Sequence, residues 1–269
     1  MKTLITFLLL LSSMAFGQTD PNQRLVCSFH NGYFKVFDGA QRFEFYVGGF
    51  ANKIECGRDF GIAITATKFL TYFQGQFQEK YVRGNGSHIS QLRGRLAVAV
   101  IGPHLIVAKA GGPIIEKYLP GSTPPTLELS SSIGVISKKP FLIFTDGATI
   151  TEEYIHNMNY QILVAGREVA GALLGNSMVT YHDGVVSEKY IVSRRSTDTI
   201  VSGRSKILAA SLGNYFMIFD GTRGQFAEEY VGGPGRVEVR EDGAYLFFSN
   251  GKITRYHLGS GTFESFSNN

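Results

Sequence analysis

The residues that could carry chemistry in this chain recur at intervals and do not cluster. A Glu, any residue, then an aromatic appears seven times: Glu44 and Tyr46, Glu79 and Tyr81, Glu116 and Tyr118, Glu152 and Tyr154, Glu188 and Tyr190, Glu228 and Tyr230, Glu264 and Phe266. Two neighbouring carboxylates can act as acid and base in glycoside cleavage, but a reaction needs such a pair once and not in every unit. On an extended strand the Glu and the aromatic share a face with Phe77, Ile114, Ile150, Val186 or Phe226 in the middle copies. A carboxylate on an apolar face needs donors. Arg58, Arg95, Arg167, Arg204 and Arg240 recur in the turns that follow, so the motif reads as a repeated Glu–Arg or Glu–backbone latch.

Other reactive types are equally dispersed. The six His are scattered, and His182 and His257 occupy equivalent repeat positions, which is no metal-ligand spacing. The Asp-Gly turns lack the alternating ligands and terminal Glu of a calcium loop. There is no Walker loop and no Gly-x-Ser-x-Gly, and Gly232-Gly233-Pro234-Gly235 is followed by no helix that would cradle a phosphate. The expectation is therefore no cofactor, no metal and no catalytic residue.

Elements that could position these residues are set by the same repeat. The aromatic positions are 35, 37, 36, 36, 40 and 36 residues apart. A turn ending in Gly precedes each Glu, as in Asp38-Gly39, Gln74-Gly75, Asp146-Gly147, Asp183-Gly184 and Asp220-Gly221. Asp-Gly between apolar runs is a strong hairpin signal, because a type I′ turn needs positive φ at both central residues. A further tight turn lies upstream: Asn31-Gly32, Gly175-Asn176, Gly213-Asn214, Asn250-Gly251, and Lys138-Lys139-Pro140 in the fourth copy. Each unit thus reads as four short strands, and no segment holds a helical period. Repeated four-stranded antiparallel units predict an all-β, seven-bladed β-propeller with a repeat of about 36 residues. The layout from Gly235 to Phe266 resembles WD40-type propellers in its order of strands and turns. The Trp-Asp and Gly-His pairs of that family are missing, so the resemblance implies an architecture and no activity. In that phase the first unit lacks an inner strand before Leu25, and the Pro21 segment is a poor substitute.

The domain plan is a secretory signal peptide over 1–17 and one propeller over 18–269. Lys2, the apolar run Leu4 to Leu11 and the small residues Ala15-Phe16-Gly17 form that leader, with cleavage expected after Gly17. No other segment is apolar enough to span a bilayer, so an exported, periplasmic or extracellular monomer is expected. Losing Lys2 takes the net charge from +4 to +3, too mild to imply specific nucleic-acid binding. Cys27 and Cys56 are permitted a disulfide in such a compartment, and two buried thiols are the alternative.

Function in a repeat protein sits where the copies diverge, usually in loops on one face. Strand alternation groups the Asn-Gly-type turns with the longer connections after each Glu-x-Tyr. That side collects Lys53, Lys68, Arg83, His88, His104, Lys138, Lys139, Arg194, Arg195 and Arg236, against Asp198. The divergent connection His156-Asn157-Met158-Asn159-Tyr160 adds an aromatic among amides. Candidate binding residues are Arg83, His88, Lys138, Lys139, His156, Asn157, Tyr160, Arg194, Arg195 and Arg236. The expected function is a non-enzymatic binding or scaffolding module for a protein, peptide or anionic glycan. The alternative is a polysaccharide hydrolase or lyase, which would need a non-repeated acid cluster at the inner-strand ends around the central channel.

Overall fold

The second and third strands of each unit are near-continuous apolar runs such as FGIAIT and LAVAVI, which need cover on both faces. Fourth strands such as QFQEKY alternate and need less. Radial stacking of four-stranded sheets meets both demands, because neighbouring sheets are close near the axis and diverge toward the rim. A computed structural model, describing residues 25–83, 88–155, 161–174, 177–191, 198–203 and 206–267, has this arrangement.

Blade 1 contains β1 (Val26–His30), β2 (Tyr33–Asp38) and β3 (Gln41–Tyr46), and blade 2 contains β4 (Ala51–Cys56), β5 (Phe60–Thr65), β6 (Lys68–Phe73) and β7 (Gln76–Tyr81). Blade 3 has β8 (His88–Arg93), β9 (Leu96–Ile101), β10 (His104–Lys109) and β11 (Ile114–Tyr118). Blade 4 has β12 (Thr126–Leu129), β13 (Gly134–Lys138), β14 (Phe141–Thr145) and β15 (Ile150–Tyr154). Blade 5 has β16 (Gln161–Ala165), β17 (Ala170–Leu174), β18 (Ser177–His182) and β19 (Val185–Tyr190). Blade 6 has β20 (Thr199–Ser202), β21 (Ile207–Leu212), β22 (Tyr215–Asp220) and β23 (Gln225–Tyr230). Blade 7 has β24 (Arg236–Arg240), β25 (Gly243–Phe247), β26 (Lys252–His257) and β27 (Thr262–Ser267).

Within all seven sheets the strands lie side by side in chain order, which makes the chain a seven-bladed β-propeller. The first strands of successive four-stranded blades adjoin around the axis, from β4 beside β8 to β20 beside β24. Blade 1 is three-stranded among the described residues, and the segment before Leu25, expected to lack an inner strand, lies outside them. Turn chemistry also agrees: Gln74-Gly75 (φ 48° and 79°) and Asp183-Gly184 (φ 48° and 82°) have the two positive φ values of a type I′ hairpin.

Apolar clusters fill the joints between successive blades. Blades 1 and 2 meet through Leu25, Phe34, Leu70 and Tyr72, and blades 6 and 7 through Phe216, Ile218, Leu246 and Tyr256. Among the described residues no such cluster joins blade 7 to blade 1, where Val26 and Phe37 are 61% and 39% exposed. The side of blade 7 turned from blade 6 carries Arg236 over Phe247 at 4.8 Å and Arg240 over Tyr245 at 4.6 Å. Cys27 in β1 is bonded to Cys56 at the end of β4, with Cα atoms 6.0 Å apart, so the disulfide ties blade 1 to blade 2.

The repeated Glu does not make the expected latch. Its partners are mostly lysines and histidines: Lys35 for Glu44 (3.3 Å), Lys68 for Glu79 (2.9 Å), His104 for Glu116 (2.8 Å) and His257 for Glu264 (2.9 Å); Glu44 also pairs with Arg42, which lies in its own strand and not in a following turn. Between blades, Lys80 reaches Glu116 (3.1 Å), Lys117 reaches Glu152 (3.1 Å) and Lys189 reaches Glu228 (3.4 Å). The middle residue of one Glu-x-Tyr therefore pairs with the Glu of the next. The turn arginines pair elsewhere, Arg95 with Asp59 (2.7 Å) and Arg240 with Glu238 (2.8 Å). Those turns border the innermost strand, three strand spacings or about 14 Å from the outermost one. The aromatics of the motif also stand in solvent, Tyr46 and Tyr230 each at 65% exposure, because the blades have diverged by the rim.

Two links of this rim girdle carry the wrong sign. Glu153 and Glu229 occupy the repeat positions that Lys80, Lys117 and Lys189 fill elsewhere, so by the same register their counterparts in the next blade are Glu188 and Glu264. Glu153→Lys should raise stability in low salt by about 0.5 kcal/mol, the scale of an exposed pair. Urea melts at low and ~1 M salt check it, since the gain must vanish on screening.

Candidate functional site

On the side bearing the long connections, the joint between blades 3 and 4 opens into a cleft of about 500 Å³. Its walls are the first turn of β8 at His88 and Ile89, the Gly102-Pro103 turn between β9 and β10, the connection Gly121–Pro125, and Lys138. The connection is rigid for local reasons. Leu119 is fully buried and donates its N–H to Pro103 O at 2.6 Å, which fastens the end of β11 to the neighbouring turn. The same bond recurs as Val82 to Thr67 (2.7 Å), Ile155 to Pro140 (2.9 Å) and Val231 to Asn214 (2.8 Å). Pro120, Pro124 and Pro125 then restrict φ along the segment that overhangs the cleft.

Lys138 departs from its expected place in an exposed turn. It is the last residue of β13, opposite Phe141, and only 3% exposed. Its Nζ donates to Leu119 O at 2.8 Å, and burial lowers its pKa. The corresponding positions are Ile101 opposite His104, Leu174 opposite Ser177 and Leu212 opposite Tyr215. A lysine thus stands where other blades place a core aliphatic. Aligning the repeats at that position would have exposed it; reading Lys138-Lys139-Pro140 as a turn concealed it.

The structure brings together His88, Lys138 and the Pro120–Pro125 connection and separates the rest. Arg83 is exposed at the end of blade 2, and Lys139 is half-buried before the cis bond to Pro140. Arg236 lies on blade 7, paired with Glu238. His156, Asn157, Tyr160, Arg194 and Arg195 lie outside the described residues. The excess of positive charge on this side is smaller than the residue tally, because many of its bases have partners. Lys53 meets Glu55 at 2.5 Å and Ser90 O at 2.7 Å, while Lys68 and His104 hold the rim glutamates. Asp198, the acidic member, is buried and accepts the Gly213 N–H at 2.9 Å.

No family model matches the chain, and no curated protein matches it. Among solved structures it is similar to apo AztD from Citrobacter koseri, 13% identical over 91% of this chain and 82% of that one, TM-score 0.38. It is similar to Hsv2 from Kluyveromyces lactis, 11% identical over 91% and 94%, TM-score 0.38. A eukaryotic initiation factor is 11% identical over 93% and 76%, TM-score 0.40. These likenesses assign no function.

The cleft is lined by two bases, His88 and Lys138, beside apolar and hydroxyl groups. Its lining includes no carboxylate, so it holds no acid–base pair for glycoside cleavage. The inner strands carry Glu55, Glu128 and Glu238, in blades 2, 4 and 7, no two of them on adjacent blades. Glu55 is occupied by Lys53, the Ser90 hydroxyl (3.3 Å) and the Leu92 N–H (2.9 Å), and Glu238 by Arg236 and Arg240. No group of three or more His, Cys, Asp or Glu side chains stands close enough to hold a metal ion among the described residues.

Proposed function

We propose that this protein is an exported, non-enzymatic binding or scaffolding propeller that takes its partner on the face bearing the long connections. The observation that carries the reading is the cleft between blades 3 and 4, built from that face's most divergent elements and lined by bases without acids. A concave, mostly apolar site with a few convergent polar groups is the usual form of a ligand pocket. The opposite face offers Asp-Gly and Gly-Arg turns whose charged side chains are engaged with one another, such as Arg95 with Asp59 and Arg255 with Asp242.

Export is supported by the apolar leader and by the Cys27–Cys56 bond, since structural disulfides persist in oxidising compartments. No helix long and apolar enough to cross a membrane occurs among the described residues.

Site-specific photo-crosslinking tests the reading. A photoreactive residue at Ser122, beside the cleft, should give a discrete adduct when the full chain is expressed and exported in its own host. The same residue at Asp183, on the opposite face, should give none. Equal adducts from both positions, or none from Ser122, would overturn the assignment of the binding face.

A further inference from the structure

We propose that the cleft between blades 3 and 4 binds a small ligand bearing a carboxylate on an apolar body, with the Lys138 ammonium as its anchor. The inference rests on the face assignment above and names the chemistry that this face recognises.

Lys138 is the reason. An ammonium has three donors, and this one has a single acceptor among the described residues, Leu119 O at 2.8 Å. The residue is 3% exposed and lines the cleft, so the partners left to its remaining donors are the groups or water that enter the cleft. The position does not call for a cation elsewhere: blades 3, 5 and 6 place Ile101, Leu174 and Leu212 there, and blade 2 places the neutral Thr65. A buried charge without a counter-ion is costly. Glu128 on β12, the nearest blade's inner-strand carboxylate, is exposed and does not line the cleft. A ligand carboxylate would supply what the protein withholds, a counter-charge with two acceptor oxygens.

The other walls define the rest of the ligand. His88 and the hydroxyls of Ser122 and Thr123 are further donors, while Val100, Pro103 and Pro125 offer an apolar surface. The volume of about 500 Å³ lies in the range of small-molecule sites and is far below that of a folded domain. A short aliphatic or aromatic acid fits, and so does the free carboxyl end of a peptide with apolar terminal residues.

Calorimetry with the full mature chain separates these cases. The probes are 4-phenylbutyrate and acetyl-Phe-Phe with a free carboxyl end, each beside its neutral counterpart, the methyl ester and the C-terminal amide. At least one acid should bind more tightly than its neutral form by tenfold or more, the scale of one charge-assisted hydrogen bond. Whichever acid binds tighter identifies the source as a free acid or a chain end. Lys138→Met keeps the volume, suits a position that is aliphatic in blades 3, 5 and 6, and should abolish the preference while a thermal melt shows the fold intact. Equal binding of acid and neutral form, no binding of either acid, or an unchanged preference in the variant would overturn the proposal. An adduct at Ser122 alongside such a failure would leave the binding face standing and reject only the carboxylate.

Discussion

Replacing Cys27 and Cys56 together by Ala should lower the unfolding free energy by about 3–4 kcal/mol, the scale for a closed loop of this length. The bond spans 29 residues and joins β1 of the three-stranded blade to β4 of the next. Blade 1 has no inner strand of its own among the described residues, and no apolar cluster holds it to blade 7, so its attachment rests on blade 2. The sulfurs sit against the chain with no slack, because a Cβ at Gly61 would stand 2.9 Å from Cys56 Sγ and 3.0 Å from Cys27 Sγ. In a chain of this size the loss corresponds to a fall of roughly 10 °C in melting temperature. Thermal melts of the parent and the double variant, each with and without reductant, measure it. Reductant should destabilise the parent alone; a variant that melts with the oxidised parent would show that the bond holds nothing.

The second large effect is expected at the buried Asp–Tyr pairs that lock one blade's hairpin turn to the next blade. Tyr256 in blade 7 donates its hydroxyl to Asp220 of blade 6 at 2.8 Å, with both residues about 1% exposed. Tyr72 of blade 2 donates to Asp38 of blade 1 at 3.2 Å. Asp220 also accepts from the Thr222 N–H (2.9 Å) and hydroxyl (2.5 Å), so Asp220→Ala orphans a buried phenol and unties a turn. The expected cost is about 3 kcal/mol, against about 1 kcal/mol for Tyr256→Phe, which removes one bond and leaves the turn intact.

The same pairs set the response to alkali. Burial, with the Asp38 carboxylate adding to it, pushes the Tyr72 phenol up to about 12, and burial beside Asp220 raises Tyr256 further still. A phenol whose folded pKa exceeds its unfolded value near 10 contributes stability that is complete below pH ~10. That contribution is lost as pH rises from about 10 toward the folded values. Stability measured between pH 9 and 12 should therefore fall, and Tyr72→Phe with Tyr256→Phe should flatten the fall. An unchanged slope would mean that these phenols ionise as freely in the folded chain as in the unfolded one.

Much of the architecture was legible in advance, for a physical reason. Strand count, hairpin turns and blade number depend on local properties, namely apolar runs and turn residues that tolerate positive φ. Those properties repeat seven times, so chance resemblance in one copy is corrected by the others. Partnerships between blades were harder to see. The rim glutamates looked bound to turn arginines, yet most of their partners are lysines, three of which reach across from the preceding blade. The Asp of the Asp-Gly turn looked like a turn former alone, yet Asp38 and Asp220 each hold a tyrosine some 35 residues away.

The candidate site followed the same division. Divergent connections pointed to the face on which the cleft opens, and His88 and Lys138 were named from sequence, but as loop charges among ten candidates. Of the five that fall among the described residues, two line the cleft. Sequence by itself determined the repeat, the blades and the face on which the copies differ, because these follow from periodicity and strand alternation within one unit. Tertiary structure alone decided that Cys27 meets Cys56, that half of the described bases of that face are paired with carboxylates, and that Lys138 is buried beside a carboxylate-free cleft. Each of these depends on how far neighbouring blades diverge between axis and rim, a distance that no single unit encodes.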